Sequence, residues 1–174
     1  MIAQNTRAAV ADCAVHLVSR CGKRGDMATR TLYDLGIDAD AVEEALSRDM
    51  TFPARWYSDP DIYAFELEHI FTRSWQYAGS LDKLRRPGDH IVCRVGHVPL
   101  VVTLDRDGEL HAFVNVCRHR AFPVAVEDGN RSTLQCGYHA WTYNLDGSLR
   151  AADTGCDAGV VVIAKHPVRP CSRG

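Results

Sequence analysis

Two short stretches of the sequence each place one cysteine and one histidine almost side by side. Residues 117–120 read Cys-Arg-His-Arg, and residues 136–141 read Cys-Gly-Tyr-His-Ala-Trp. Thiolates and imidazoles are ligands that suit zinc, other transition metals and iron–sulfur clusters. The repeated pairing therefore predicts a metal centre held by four side chains, Cys117, His119, Cys136 and His139.

Two kinds of centre would use all four ligands. A zinc ion takes two thiolates and two imidazoles tetrahedrally, but zinc sites normally pair like ligands, with wider gaps than the one residue between Cys117 and His119. A mixed-ligand [2Fe–2S] cluster has two thiolates on one iron and two imidazoles on the other. Because two loops with mixed pairs are what such a cluster requires, the spacing favours the cluster over zinc.

The sequence around these candidate ligands resembles that of a known family. The segments in which the resemblance lies are FVNVCRHR, LQCGYHAWTYNLDGSLRAA and, upstream, FPARWYSDPDIYAFELEHIFTRSWQYAGSLDKLRRPGDHIVCRVGHVPLVV. Residues 51–152 are similar to the Rieske domain of Rieske non-haem iron, or aromatic ring-hydroxylating, oxygenase α subunits. The resemblance implies that Cys117 and Cys136 bind one iron and that His119 and His139 bind the other. It also implies that Arg118, Tyr138 and Trp141 lie beside the cluster, with ordinary packing the alternative role for Trp141.

Two positions near the ligands distinguish branches of this superfamily, and two others depart from the family pattern. High-potential Rieske proteins carry an extra cysteine in each loop, joined as a disulfide, whereas Phe122 and Tyr138 stand at those positions here. The resemblance therefore implies a lower-potential cluster. Ala121 replaces a common glycine and would be strained by roughly 1 kcal/mol if its φ is positive. Gly137 replaces a frequent proline, so we expect the second loop to be less rigid before it binds metal, and both departures to loosen the cluster.

The resemblance also implies a role in an oxidoreductase. In the family, a ferredoxin or reductase supplies electrons, and the Rieske domain passes them to a mononuclear Fe(II) in a second domain, commonly in a neighbouring subunit. That iron carries out O2-dependent hydroxylation or demethylation, and its ligands are two histidines and a carboxylate. After His139 the only histidine is His166, and Asp153 and Asp157 are interpreted as solvated acids. We therefore expect this chain to contain no catalytic residues and to perform electron transfer only.

Other interpretations of the same ligands remain open. A stand-alone Rieske ferredoxin would share the pattern but usually lacks a long helical N-terminal arm, and a zinc-binding interaction module is the third interpretation. The tail from residue 153 to 174 resembles neither the family nor a strand pair nor a helix. We expect a reading frame truncated or shifted near 153–157, which would leave a fragment without its catalytic domain.

The elements that must position the ligands are mainly strands. The pattern predicts a helical N-terminal arm over 1–50, with helices at 6–20 and from Asp40, and a further helix over 58–74 capped by Asp59 with Pro60 next. Short strands with glycine-containing turns follow, at 75–79, 90–95, 98–104, 109–116, 133–135, 141–144 and 148–150. This spacing predicts an antiparallel β-sandwich or small barrel over 51–152, with both ligand stretches on loops at strand ends.

Composition limits the remaining possibilities. The 174 residues are 46% hydrophobic and 24% charged, with a formal charge of −2, so a folded core is expected and a nucleic-acid footprint is not. The longest apolar run is 160–164, too short for a membrane span. No secretory signal is evident, so a cytoplasmic location is expected. The five cysteines outside the two stretches are interpreted as packed or incidental thiols.

Overall fold

The structure, a computed structural model, describes residues 12–16, 31–152, 163, 165–166 and 168–171. Within them, residues 12–16 and 75–171 belong to one compact unit and residues 31–74 to another. The division of the chain into an N-terminal arm at 1–50, a domain at 51–152 and a tail at 153–174 remains a prediction. The proposed break in the reading frame near 153–157 lies outside the described residues.

The 31–74 unit is helical. Helix α1 spans Ala39–Ser47, and its cap is Asp38 rather than Asp40, because the Asp38 carboxylate accepts a hydrogen bond from the Asp40 N–H at 3.0 Å. Helix α2 spans Pro60–Glu66 and is capped by Asp59 as predicted. A π-helical turn, Leu67–Phe71, continues it. The predicted helix at 58–74 is therefore confirmed in position.

The larger unit consists mostly of antiparallel strands, as predicted. They are β1 Asp12–His16, β2 Trp75–Ser80, β3 Asp89–Val95, β4 Val98–Leu104, β5 Leu110–Val114, β6 Gly129–Asn130, β7 Leu134–Gln135, β8 Thr142–Tyr143, β9 Leu149–Ala151, β10 Lys165–His166 and β11 Val168–Cys171. Three sheets result, in the orders β11-β1-β2, β10-β5-β4-β3-β6 and β7-β8-β9. The central β3–β4 and β4–β5 hairpins fall where the sequence placed them.

Two predictions outside this centre were wrong. Residues 12–16 form a strand, not part of a helix over 6–20, because β1 pairs with both β2 and β11. The tail also contributes strands, since β10 pairs with β5 and β11 pairs with β1. Local pattern could not reveal either pairing, because the partners are far away in sequence. The proline in β11 is compatible with a strand because β11 lies at a sheet edge.

A hydrophobic core lies beneath the two loops that contain the candidate ligands, called here the ligand loops. Its buried side chains come from β4, β5, β7 and β8, from the two loops and from the tail, and they are Val101, Phe113, Cys117, Val124, Ala125, Leu134, Cys136, Trp141, Tyr143 and Ile163. Gly147 turns the chain back after β8 with φ 85°, and a Cβ there would meet the Phe113 ring at 3.3 Å. Both features require glycine at this turn.

None of the helices in the part of the chain described here is long and apolar enough to cross a membrane.

Candidate metal centre

The first ligand loop leaves the end of β5 and is held by a buried asparagine. The Asn115 side chain is 3% exposed. Its Oδ1 accepts hydrogen bonds from the N–H groups of Val124 and Ala125, both at 3.0 Å, and its Nδ2 donates to the Ala125 carbonyl at 2.6 Å. Asn115 therefore fixes the far end of the loop to its beginning, with Cys117, His119 and the residues between enclosed.

Both loops have the same backbone hydrogen bonds. The Cys117 N–H donates to the carbonyl five residues later at 2.7 Å, and the Cys117 carbonyl accepts from Ala121 at 2.9 Å. The Cys136 loop repeats both bonds, at 2.9 and 3.0 Å, with Ala140 in the equivalent place. Ala121 and Ala140 have φ values of 59° and 58°. The positive φ anticipated at 121 is thus present, and a second one at 140 was not anticipated.

The two cysteines lie inside the core. Cys117 and Cys136 are 2% and 3% exposed and are free thiols, as is Cys93. Burial raises the pKa of Cys93 to about 11, so that thiol is protonated at neutral pH and is a poor metal ligand. This agrees with its interpretation as a packed residue.

A buried tyrosine that the sequence analysis did not single out connects to the first loop. The Tyr143 hydroxyl lies 3.3 Å from Cys117 Sγ and accepts a hydrogen bond from the Arg118 N–H at 3.0 Å. Burial raises the pKa of Tyr143, and the neighbouring thiols of Cys117 and Cys136 raise it further. The hydroxyl therefore keeps its proton and can donate it to a thiolate at Cys117.

The two histidines lie against each other. The ring centroids of His119 and His139 are 4.5 Å apart. His119 also stacks on the buried Trp141 ring, with centroids 5.0 Å apart and planes 8° apart, and the more exposed Tyr138 ring lies 3.8 Å from His139. Trp141 thus both packs in the core and touches a candidate ligand.

One ring nitrogen of the candidate ligand His119 is buried without a hydrogen bond to a described residue. That nitrogen is Nδ1. Burial lowers the pKa of His119, and the positive charges of His139 and Arg120 lower it further. A neutral imidazole with a buried, unpaired nitrogen is the form that binds a metal.

The donor set fits a [2Fe–2S] cluster. Two core thiols belong to the same pair of loops as two touching imidazoles, and His119 presents a nitrogen without a partner among the described residues. These residues contain no group of three or more His, Cys, Asp or Glu side chains that could hold a metal ion. In a [2Fe–2S] cluster each iron takes two protein ligands.

The residues that the sequence analysis named beside the candidate ligands contact other residues of the two loops or Tyr143. Phe122 and Tyr138 form an aromatic contact between the loops, with ring centroids 6.0 Å apart, at the positions where the high-potential branch has its disulfide. Arg118 lies beside the site through its backbone contact with Tyr143. The sequence analysis did not identify Asn115 or Tyr143 as residues that support the site. An asparagine inside the otherwise apolar run Phe113–Val116 could have indicated Asn115. No local feature of the sequence distinguished Tyr143.

An antiparallel β domain with two such loops has the architecture of a mixed-ligand iron–sulfur protein. Residues 74–162 match the Rieske [2Fe-2S] domain family, and the chain belongs to that family. It is homologous to Rieske oxygenase α subunits, and the match extends beyond residue 152, where the resemblance was expected to stop.

Three similar proteins illustrate the relationship. Chloroplastic choline monooxygenase of Arabidopsis thaliana is 44% identical over 104 residues, which are 60% of this chain and 25% of that protein. The benzene 1,2-dioxygenase α subunit of Pseudomonas putida is 41% identical over 96 residues, or 55% of this chain and 21% of the subunit. The solved apo structure of the quaternary ammonium Rieske monooxygenase CntA superposes with a TM-score of 0.61 at 31% identity, over 66% of this chain and 35% of that one. The chain thus spans about a quarter of the length of these two curated relatives.

Proposed function

We propose that this chain carries single electrons on a [2Fe–2S] cluster, with Cys117 and Cys136 on one iron and His119 and His139 on the other. The observation that carries the proposal is the buried, unpartnered Nδ1 of His119, which belongs to the same loop as the core cysteine Cys117. The family match supports the cluster type independently.

The protein side of this function can be derived from the contacts. A bound Rieske cluster supplies reversible one-electron chemistry. The core around Cys117 and Cys136 excludes water from the thiolates, whereas the half-exposed imidazoles lie nearer to solvent. The Tyr143 hydroxyl, 3.3 Å from Cys117 Sγ, can donate a hydrogen bond to a thiolate there and so favour negative charge on that sulfur. The structure therefore insulates one side of the site and leaves the histidine side accessible.

We further propose that the electrons serve a Rieske oxygenase. In this role the chain is the electron-delivering part of a cytoplasmic α subunit, which receives electrons from a ferredoxin or reductase and works with other oxygenase subunits. The electrons would serve O2-dependent hydroxylation or demethylation at a mononuclear iron outside the residues described here. Similar proteins act on choline and on benzene according to their names. The proposal is confined to electron delivery, because that is the step such different oxygenases would share.

The test of the proposed function is metal analysis of the anaerobically purified chain with ligand variants and matched controls. We expect about two irons and two sulfides per chain, lost in Cys136→Ser and in His119→Gln. Cys93→Ala and His97→Gln change the same residue types outside the loops and should retain the iron. One zinc per chain, or iron retained in both ligand variants, would contradict the proposal.

A further inference from the structure

A buried threonine joins the central sheet to the hairpin that follows the second ligand loop. Thr103 in β4 is fully buried, and its hydroxyl donates a hydrogen bond to the Leu145 carbonyl at 2.6 Å. Leu145 lies in the turn between β8 and β9, forty-two residues further along the chain. Because a buried polar group without a partner is costly, this hydrogen bond fixes where the turn meets β4.

The same hairpin carries the tyrosine that contacts a candidate ligand. Tyr143 lies two residues before Leu145, and its hydroxyl lies 3.3 Å from Cys117 Sγ. The Tyr143 ring is itself fully buried in a close-packed core, so it cannot move independently of the backbone of β8. The distance from this hydroxyl to the sulfur therefore depends on the backbone that Thr103 holds at Leu145.

Backbone hydrogen bonds within the hairpin connect the two positions. The Asn144 N–H donates to the Ser148 carbonyl at 2.8 Å, and the Gly147 N–H donates to the Asn144 carbonyl at 2.9 Å. Both bonds restrict the residues on either side of Leu145. We therefore expect a displacement of Leu145 to move Tyr143 as well.

We propose that Thr103 is a positioning residue for the metal centre. Through the Leu145 carbonyl it sets the distance between the Tyr143 hydroxyl and Cys117 Sγ. This role rests on the proposed electron-transfer function, in which a thiolate at Cys117 binds iron. Hydrogen bonds to charged groups are stronger than those between neutral groups, and hydrogen bonds to the sulfurs help to set the reduction potential of an iron–sulfur cluster. Thr103 thereby tunes the potential although its own hydrogen bond ends at Leu145.

The test separates the hydroxyl of Thr103 from the packing of its side chain. Thr103→Val has nearly the same shape without the hydroxyl, whereas Thr103→Ser keeps the hydroxyl. Val102→Ala is the control, because Val102 is a fully buried neighbour in β4 whose truncation leaves a cavity and retains the Thr103 hydroxyl. Redox titration of the cluster-loaded full chain gives the ratio of reduced to oxidised cluster at a fixed solution potential.

We expect Thr103→Val to lower this ratio roughly two- to fivefold, because a less well placed hydroxyl stabilises negative charge on the sulfur less. Thr103→Ser should restore most of the ratio. Val102→Ala should leave the ratio unchanged although it lowers the free energy of unfolding. Thr103→Val added to Tyr143→Phe should have no further effect on the ratio, since the hydroxyl through which Thr103 acts is then missing.

Two results would overturn the positioning role while leaving the proposed function intact. One is a ratio in Thr103→Ser as low as that in Thr103→Val, which would assign the effect to packing. The other is an effect of Thr103→Val that persists in full when Tyr143→Phe is present, which would mean that Thr103 does not act through Tyr143. Absence of a dithionite-reducible cluster in the unmodified chain would instead contradict the proposed function.

Discussion

The two ligand loops have one backbone frame but different supports. In each, the cysteine exchanges hydrogen bonds with the residues four and five positions later, and an alanine with positive φ closes the turn, Ala121 in one loop and Ala140 in the other. This repetition explains how the two loops can each present one thiol inward and one imidazole outward.

The supports differ because the loops connect to different parts of the sheet. The first loop is held by buried side chains, since Asn115 binds its far end and the Tyr143 hydroxyl contacts Cys117 and Arg118. The second loop is instead a connection between two short paired strands, with Leu134 opposite Tyr143 and Gln135 opposite Thr142. The backbone of the first loop is thus stabilised by polar side chains, and the similar backbone of the second loop is stabilised by strand pairing.

The aromatic supports of the histidines differ in a similar way. Trp141, which belongs to the second loop, is 7% exposed and stacks on His119 of the first. Tyr138 is 56% exposed and covers His139 of its own loop. We therefore expect substitutions of the different supports to have unequal effects.

The largest difference should appear between the two aromatic supports. Trp141→Ala should lower the free energy of unfolding by about 3–5 kcal/mol, because it leaves a cavity among core side chains. Tyr138→Ala should cost less than about 1 kcal/mol, since its ring is mostly in water. Urea unfolding of both variants measures the difference, and equal losses would show that the two supports are equivalent.

The buried asparagine should be the next most sensitive position. Asn115→Ala leaves two buried N–H groups and one carbonyl without partners, so we expect a loss of about 2–4 kcal/mol and reduced iron content. Asn144→Ala is the control, since the half-buried Asn144 side chain makes one hydrogen bond to the described residues, to Ser148 Oγ at 2.9 Å. Its loss should be about 1 kcal/mol. If Asn115→Ala unfolds no more easily than this control, the first loop does not depend on the hydrogen bonds of Asn115.

The tyrosine contact should affect redox potential more than folding. Tyr143→Phe removes a hydrogen bond to Cys117 Sγ that stabilises negative charge, so the midpoint potential should fall by on the order of tens of millivolts. Tyr77→Phe, in an exposed residue of β2, should leave the potential unchanged. Redox titration measures both, and an unchanged or higher potential in Tyr143→Phe would exclude this role for the hydroxyl.

The smallest effects should come from the shared frame itself. Ala121→Gly and Ala140→Gly should each raise the free energy of unfolding by about 0.5–1 kcal/mol, because glycine adopts positive φ without strain. Ala151→Gly, at an exposed position in β9, should instead lower it by about 0.5–1 kcal/mol. Chemical denaturation measures whether each substitution raises or lowers the free energy of unfolding. Opposite effects at positions 121 and 140 would show that the two loop backbones are not equivalent.

Parts of this structure that depend on local pattern could be predicted from the sequence. The β3–β4–β5 hairpins, the cap at Asp59 and the four candidate ligands are local features. The strands β1 and β11 were not foreseen, because each is defined by pairing with the other across most of the chain. The brace by Asn115 and the contact of Tyr143 were also missed, since both depend on which side chains the fold buries together.

The most direct test of the central claim is pulsed electron paramagnetic resonance on the dithionite-reduced chain labelled with ¹⁵N-histidine. We predict coupling of the electron spin to nitrogens of two histidines, and the same coupling in His97→Gln. A cluster without histidine coupling would contradict the account, because it would mean that the four ligands do not divide as two thiolates and two imidazoles.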